Sequence, residues 1–158
     1  MIPHTRVAIA LGSNLGDRRA TILKAVEHMK EEFLRNTAVS SIYETEPWGI
    51  TDQPKFLNAV VVGETDWKPP AILNYIKDLE RVLGRTETVR NGPRIIDLDL
   101  LVYGDQTWES PGLTVPHPGL SSREFVLKPL CDVWPDWIHP MEKKSARALQ
   151  TTLSHPQK

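Results

Sequence analysis

The chain has 158 residues, of which 40% are hydrophobic and 25% charged, and its formal net charge is −1. That length makes one domain, spanning 1–158, with a full two- or three-layer core, and the composition excludes disordered, collagenous and coiled-coil classes. The balanced charge gives no pull toward nucleic acid or anionic membrane, and no apolar run reaches the ~20 residues of a membrane helix. A lone cysteine, Cys131, has no partner for an internal disulfide, which places the chain in the reducing cytoplasm.

Taken in order, residues 6–11 form a short apolar run that reads as a buried strand, ended by Gly12-Ser13-Asn14-Leu15-Gly16. Asp17 is placed to cap a helix whose apolar positions Ile22, Val26, Met29 and Phe33 recur at helical spacing. A second strand is predicted over 39–45, then a loop over 46–55 punctuated by Pro47, Gly49 and Pro54. Residues 56–65 read as a third strand. Asp66, Pro69 and Pro70 announce a second helix with Ile72, Ile76, Leu79 and Leu83 on one face, closed by Gly84. A second loop, 85–93, leads into a fourth strand at 95–103. This order, β-α-β-β-α-β, is the ferredoxin-like α+β pattern: an antiparallel sheet with both helices on one face. A hairpin over 107–115 and helical stretches near 121–131 and 143–153 cover more of the sheet, for an αβα layering overall; the tail from Ser154 frays.

The fourth strand carries the most information. With a side-chain period of two, Asp97 and Asp99 project from one face, together with Ile95, Leu101 and Tyr103, and the first and last strands are expected to lie side by side at mid-sheet. Two like charges among apolar neighbours repel each other and lose solvation, and a divalent cation relieves both penalties. The alternative is a strand with one wet face, as antiparallel sheets often have.

Both loops flank this strand or the pair beside it. The second supplies Arg85, Arg90 and Arg94; beyond the strand come His117, held between two prolines, and Arg123. Arginine forks suit phosphate oxygens, and aspartates with arginines suit a magnesium–polyphosphate substrate. Taken singly, each of these arginines is more often a solvated surface group, and only their concentration in one loop beside Asp97 and Asp99 balances the two readings; His117 reads equally well as a structural residue. Asn58, on the side of the third strand that Phe56 faces, fits either a structural amide or one that reads the edge of a flat heterocycle. The glycine-rich turn at 12–16 lacks the Gly-Lys-Ser/Thr ending of a P-loop and reads mainly as a turn and helix start. Neither a Gly-x-Gly-x-x-Gly, a zinc-type cysteine pair nor a serine elbow is present.

The segments ALGSNLGDR, TEPWGITDQPKFLNAVV, GRTETVRNGPRIIDLDLLVYG and LTVPHPGLSSREFVLKPL together resemble the 6-hydroxymethyl-7,8-dihydropterin pyrophosphokinases of folate biosynthesis, over about 7–130. The resemblance implies pyrophosphoryl transfer from ATP to the pterin hydroxymethyl, giving AMP and the pterin diphosphate. By motif position it implies that Asp97 and Asp99 hold two Mg²⁺ ions and that Arg85 and Arg94 stabilise the moving charge. His117 and Arg123 match triphosphate contacts, while Lys77, Glu80 and Thr114 fall at nucleotide-lining positions. Asn58, Phe56 and Phe125 match the pterin pocket, and Thr45, Glu46 and Trp48 fall where backbone groups meet the pterin. The chain departs from the common pattern in a loop one residue shorter between Gly84 and Gly92, in Asn91 and Trp48, and in Lys77 where glutamine is common. The partners implied are small molecules alone, with no nucleic acid and no membrane, acting on a monomer.

Two other readings share the topology. A palm-type nucleotidyl transferase or cyclase also carries Asp-x-Asp on such a sheet and releases pyrophosphate instead of AMP. A ligand-sensing or RNA-binding module needs no acidic pair, and RNA binders show a basic, aromatic sheet face.

Overall fold

The computed structural model describes residues 4–46, 52–84 and 95–154. The elements run β1 (Thr5–Ser13), α1 (Arg18–Glu32), β2 (Arg35–Val39), β3 (Tyr43–Thr45), β4 (Phe56–Thr65), α2 (Pro69–Val82), β5 (Asp97–Tyr103), β6 (Trp108–Ser110), β7 (Leu113–Val115), α3 (Glu124–Val133) and α4 (Ala146–Ser154). The main sheet has the antiparallel order β2-β4-β1-β5, with β3 pairing the near end of β4. A separate hairpin joins β6 to β7.

Helices cover both faces of the sheet. On one, Val7, Ile9, Leu11, Ala59 and Val61 pack against Ile22, Val26 and Met29 of α1 and Ile72, Ile76 and Leu79 of α2. On the other, Ala8, Val60 and Val62 meet Val126, Leu127 and Leu130 of α3 and Ala146 and Leu149 of α4. Strands buried on both sides read as unbroken apolar runs, which is why β1 and β4 are so legible. The expected caps are present: Asp17 accepts the Ala20 N–H at 3.1 Å, Pro69 opens α2, and Gly84 leaves it at φ +102°.

Four expectations need correction. The predicted strand at 39–45 is two strands, because the Ser40 hydroxyl takes the Val60 N–H at 2.9 Å in place of a backbone carbonyl and breaks the ladder there. β1 continues through Gly12 and Ser13, which belong to the strand and not to a turn. β5 lies at the edge of the sheet, pairing among the described residues with β1 alone. Finally, the register slips between Ala8 and Ile9 so that Leu101 is an extra residue on β5. That bulge turns Tyr103 to the α1/α2 face, where its hydroxyl donates to Trp67 O at 2.8 Å, away from the face of Asp97 and Asp99. Smaller shifts occur at the C-terminal end: a 3-10 turn at Leu120–Ser122 precedes α3, and α4 starts at Ala146.

Candidate active site

Strand register places the site. Asn58 of β4 and Asp97 of β5 are both direct partners of Gly12, and Val60 and Asp99 are both partners of Ala10. Directly opposed residues point to the same face, here the face that α3 covers farther along. Two interstrand steps therefore separate Asn58 from Asp97, about 10 Å. Between them the sheet is bare. A Cβ at Gly12 would stand 3.1 Å from Asn58 Oδ1 and 3.6 Å from Phe56 Cδ1, so glycine keeps that floor open. Sequence reasoning missed Gly12; the available signal was that the alternation of β1 runs on through it.

The acidic end is built on the free side of β5. Burial first, and then the neighbouring charge of Asp97, hold the Asp99 carboxyl above its ordinary range, while His117, Lys77 and Arg123 pull it back. His117 docks on the strand edge through its N–H to Leu101 O at 2.8 Å. The Gly119 N–H donates to His117 Nδ1 at 3.1 Å, so the neutral ring keeps its proton on Nε2. Burial pushes the His117 imidazole below its ordinary value, with Asp99 opposing, which favours that neutral donor. Arg123 extends from the N-cap of α3 against Gly119, where a Cβ would stand 2.6 Å from its Nε. From α2, Lys77 and Glu80 reach the same edge: Glu80 accepts the Leu98 N–H at 2.7 Å, and Lys77 Nζ lies 3.4 Å from Glu80 and 3.5 Å from Leu98 O.

At the other end, the Asn58 side-chain amide donates to the Thr45 hydroxyl, and Thr45 stands opposite Phe56 in the β3–β4 pairing. Phe125, in the first turn of α3, packs on the same face, with the Arg123 guanidinium carbon 5.9 Å from its ring centroid. Glu46 is exposed and pairs with Lys55 at 3.3 Å. Thr114 is exposed on β7 between the core residues Leu113 and Val115. Trp48, Arg85, Arg90, Asn91 and Arg94 lie outside the described residues.

Asp97 and Asp99 suit a magnesium-type cation. Among the described residues no group of three or more His, Cys, Asp or Glu side chains converges. A pair of carboxylates that raises the proton affinity of one member leaves a cation's remaining positions to water and phosphate oxygens, the usual arrangement for Mg²⁺ at nucleotides.

An acidic pair ringed by cationic side chains, with an amide and aromatic rings two strands away, is the arrangement of a phosphotransferase acting on a flat acceptor. Residues 8–135 match the sequence model of the 7,8-dihydro-6-hydroxymethylpterin-pyrophosphokinase family. The chain is 44% identical over 138 residues to the 2-amino-4-hydroxy-6-hydroxymethyldihydropteridine pyrophosphokinase of Aquifex aeolicus, covering 87% of this chain and 86% of that one. It is 43% identical to the enzyme of the same name from Porphyromonas gingivalis, spanning 93% of its length. It is also 45% identical to the folic acid synthesis protein fol1 of Schizosaccharomyces pombe, of which it spans only 18%. The fold matches that of the Plasmodium falciparum HPPK-DHPS crystal structure with pteroate at a TM-score of 0.74 and 18% identity, over 95% of this chain and 42% of that one. The chain belongs to the 7,8-dihydro-6-hydroxymethylpterin-pyrophosphokinase family, and its reaction is the transfer of pyrophosphate from ATP to the hydroxymethyl-dihydropterin in folate synthesis.

Proposed function

We propose that the transfer is a direct in-line attack of the pterin hydroxymethyl oxygen on the β-phosphorus of ATP, with no phosphoenzyme. The new O–P bond forms as the bond from the β-phosphorus to the α–β bridging oxygen breaks, and AMP leaves. The hydroxyl proton passes to solvent, and the mechanism assigns no side chain as an obligatory base. Asp97 and Asp99 would hold two Mg²⁺ ions, which would supply charge neutralisation at the triphosphate and acidify the attacking hydroxyl. His117 donates its Nε2 proton to a triphosphate oxygen, and Arg123 pairs with the same group. Arg85 and Arg94 grip charge as it spreads in the transition state. Lys77, Glu80 and Thr114 line the nucleotide. Phe56 and Phe125 sandwich the pterin, Asn58 reads its edge, and backbone groups at Thr45, Glu46 and Trp48 complete the contact.

The observation that carries this reading is the shared pairing of Asn58 and Asp97 with Gly12. It sets an edge-reading amide about 10 Å from the acidic pair, the span of a bicyclic ring and its hydroxymethyl arm. The two cores lie on opposite faces of one sheet and share β1 and β4, which supports a single domain, read here as acting as a monomer. The free thiol of Cys131 supports a cytoplasmic setting. Incubation with MgATP and 6-hydroxymethyl-7,8-dihydropterin tests it by product analysis. AMP must appear in step with pterin diphosphate and stop when EDTA is added; release of ADP or of free pyrophosphate would exclude the mechanism.

A further inference from the structure

We infer that Tyr43 and Asp132 form a clasp that positions β3, and through it the Thr45–Asn58 pair, for recognition of the pterin. This rests on the reading of Asn58 as the pterin's edge reader. β3 has three residues and, among the described residues, pairs with one strand, β4. So short an outer segment is weakly held by its own ladder. Besides the Arg18–Glu44 ion pair with α1 at 3.2 Å, its additional hold comes from the last turns of α3. Asp132 accepts the Tyr43 hydroxyl at 2.5 Å and the Ser41 N–H at 3.3 Å, and Lys128 sets its Nζ 4.9 Å from the Tyr43 ring centroid. Three contacts thus converge from one helix on the start of one very short strand.

The location gives the clasp its consequence. Tyr43 is the direct partner of Asn58, in the row that continues through Gly12 to Asp97. Two residues on, Thr45 takes the Asn58 amide on its hydroxyl, which fixes how that amide is turned. α3 also carries Phe125, so one helix sets both a ring of the pocket and the strand that orients its amide. Releasing β3 from α3 frees the Thr45 hydroxyl to drift and lets the Asn58 amide rotate. The loss falls on pterin binding; the acidic end, built on β5 and α2, is untouched.

The test is steady-state kinetics of Tyr43→Phe, Asp132→Ala and the double variant, with Asn58→Ala alongside and thermal melts on each. Tyr43→Phe keeps the ring and the stacked ammonium while removing only the hydroxyl. The pterin KM is expected to rise about fivefold in Tyr43→Phe, which corresponds to about 1 kcal/mol at 1.36 kcal/mol per tenfold. The MgATP KM is expected to stay within twofold, and the double variant to match Asp132→Ala. A pterin KM unchanged in both single variants, while Asn58→Ala raises it, overturns the clasp. Equal losses for both substrates with a lowered Tm also overturn it, since that pattern is plain destabilisation. If Asn58→Ala leaves pterin binding intact, the pocket assignment falls and takes this inference with it.

Discussion

The Glu80 carboxylate accepts the backbone N–H of Leu98, the residue between Asp97 and Asp99, at 2.7 Å. The Leu98 side chain is buried in the α1/α2 core, while its N–H points out along the hydrogen-bonding edge of β5 and its carbonyl lies 3.5 Å from Lys77 Nζ. An edge strand normally leaves such groups to water. Here α2 closes the edge, and the position of the two carboxylates depends on a third one on a helix behind them.

Removing that acceptor leaves the Leu98 N–H buried and unpaired. Glu80→Ala is expected to lose roughly 1–3 kcal/mol of stability and to lower kcat more than tenfold. Glu80→Gln, which keeps an acceptor oxygen, should recover most of the stability. Calorimetric melts of both variants, read beside kcat, check this.

The acidic pair makes opposite demands on activity and stability. Asp97→Ala is expected to lose a hundredfold or more of kcat, roughly 3 kcal/mol of transition-state stabilisation, while the melt stays cooperative. Near-normal turnover by this variant would remove the cation site from the mechanism.

Asp99 couples stability to pH. Its folded carboxyl is raised above the ordinary 3.8, so the folded chain holds that proton more tightly than the unfolded chain. The stabilisation it contributes is complete below the ordinary value and is lost as pH rises through the folded one. At pH 7 without Mg²⁺, Asp99→Asn should therefore melt above the wild type while losing activity, by about 2–4 °C for each kcal/mol recovered in a domain of this size. The gap should close as pH falls toward 4. A wild type that outlasts the variant at pH 7 in EDTA would refute this.

Asn58→Ala is expected to weaken pterin binding about tenfold, leave the MgATP KM within twofold, and cost little kcat at saturating pterin. Fluorescence titration with the pterin alone separates this from any effect on nucleotide.

Gly12→Ala fills the bare floor between Asn58 and Asp97. The added Cβ meets Asn58 Oδ1 at 3.1 Å and the Phe56 ring at 3.6 Å, so the amide must give way by a few tenths of an ångström. The expected result is a pterin KM raised at least fivefold with Tm within a few degrees of wild type, a signature of lost space in the pocket and not of lost fold.

Much of this architecture was legible residue by residue. The Asp17 cap, the spacing of Ile72, Ile76 and Leu79, and the apolar runs of β1 and β4 are local signals, and local chemistry enforces them. The common face of Asp97 and Asp99 follows from two-residue periodicity, which holds wherever a strand stays regular. Tyr103 shows the limit of that rule. One extra residue at Leu101 reverses its face, and a bulge is set by the register of the partner strand, which β5 does not itself encode.

What the chain alone determined was its family, its acid pair and the order of its core strands and first two helices, because each is written in short-range pattern. The tertiary structure decided that β5 is an outer strand sealed by Glu80, that Gly12 joins the amide to the aspartates, and that α3 holds β3. These are meetings between residues 18 to 91 positions apart, and no local preference specifies which neighbour a strand takes.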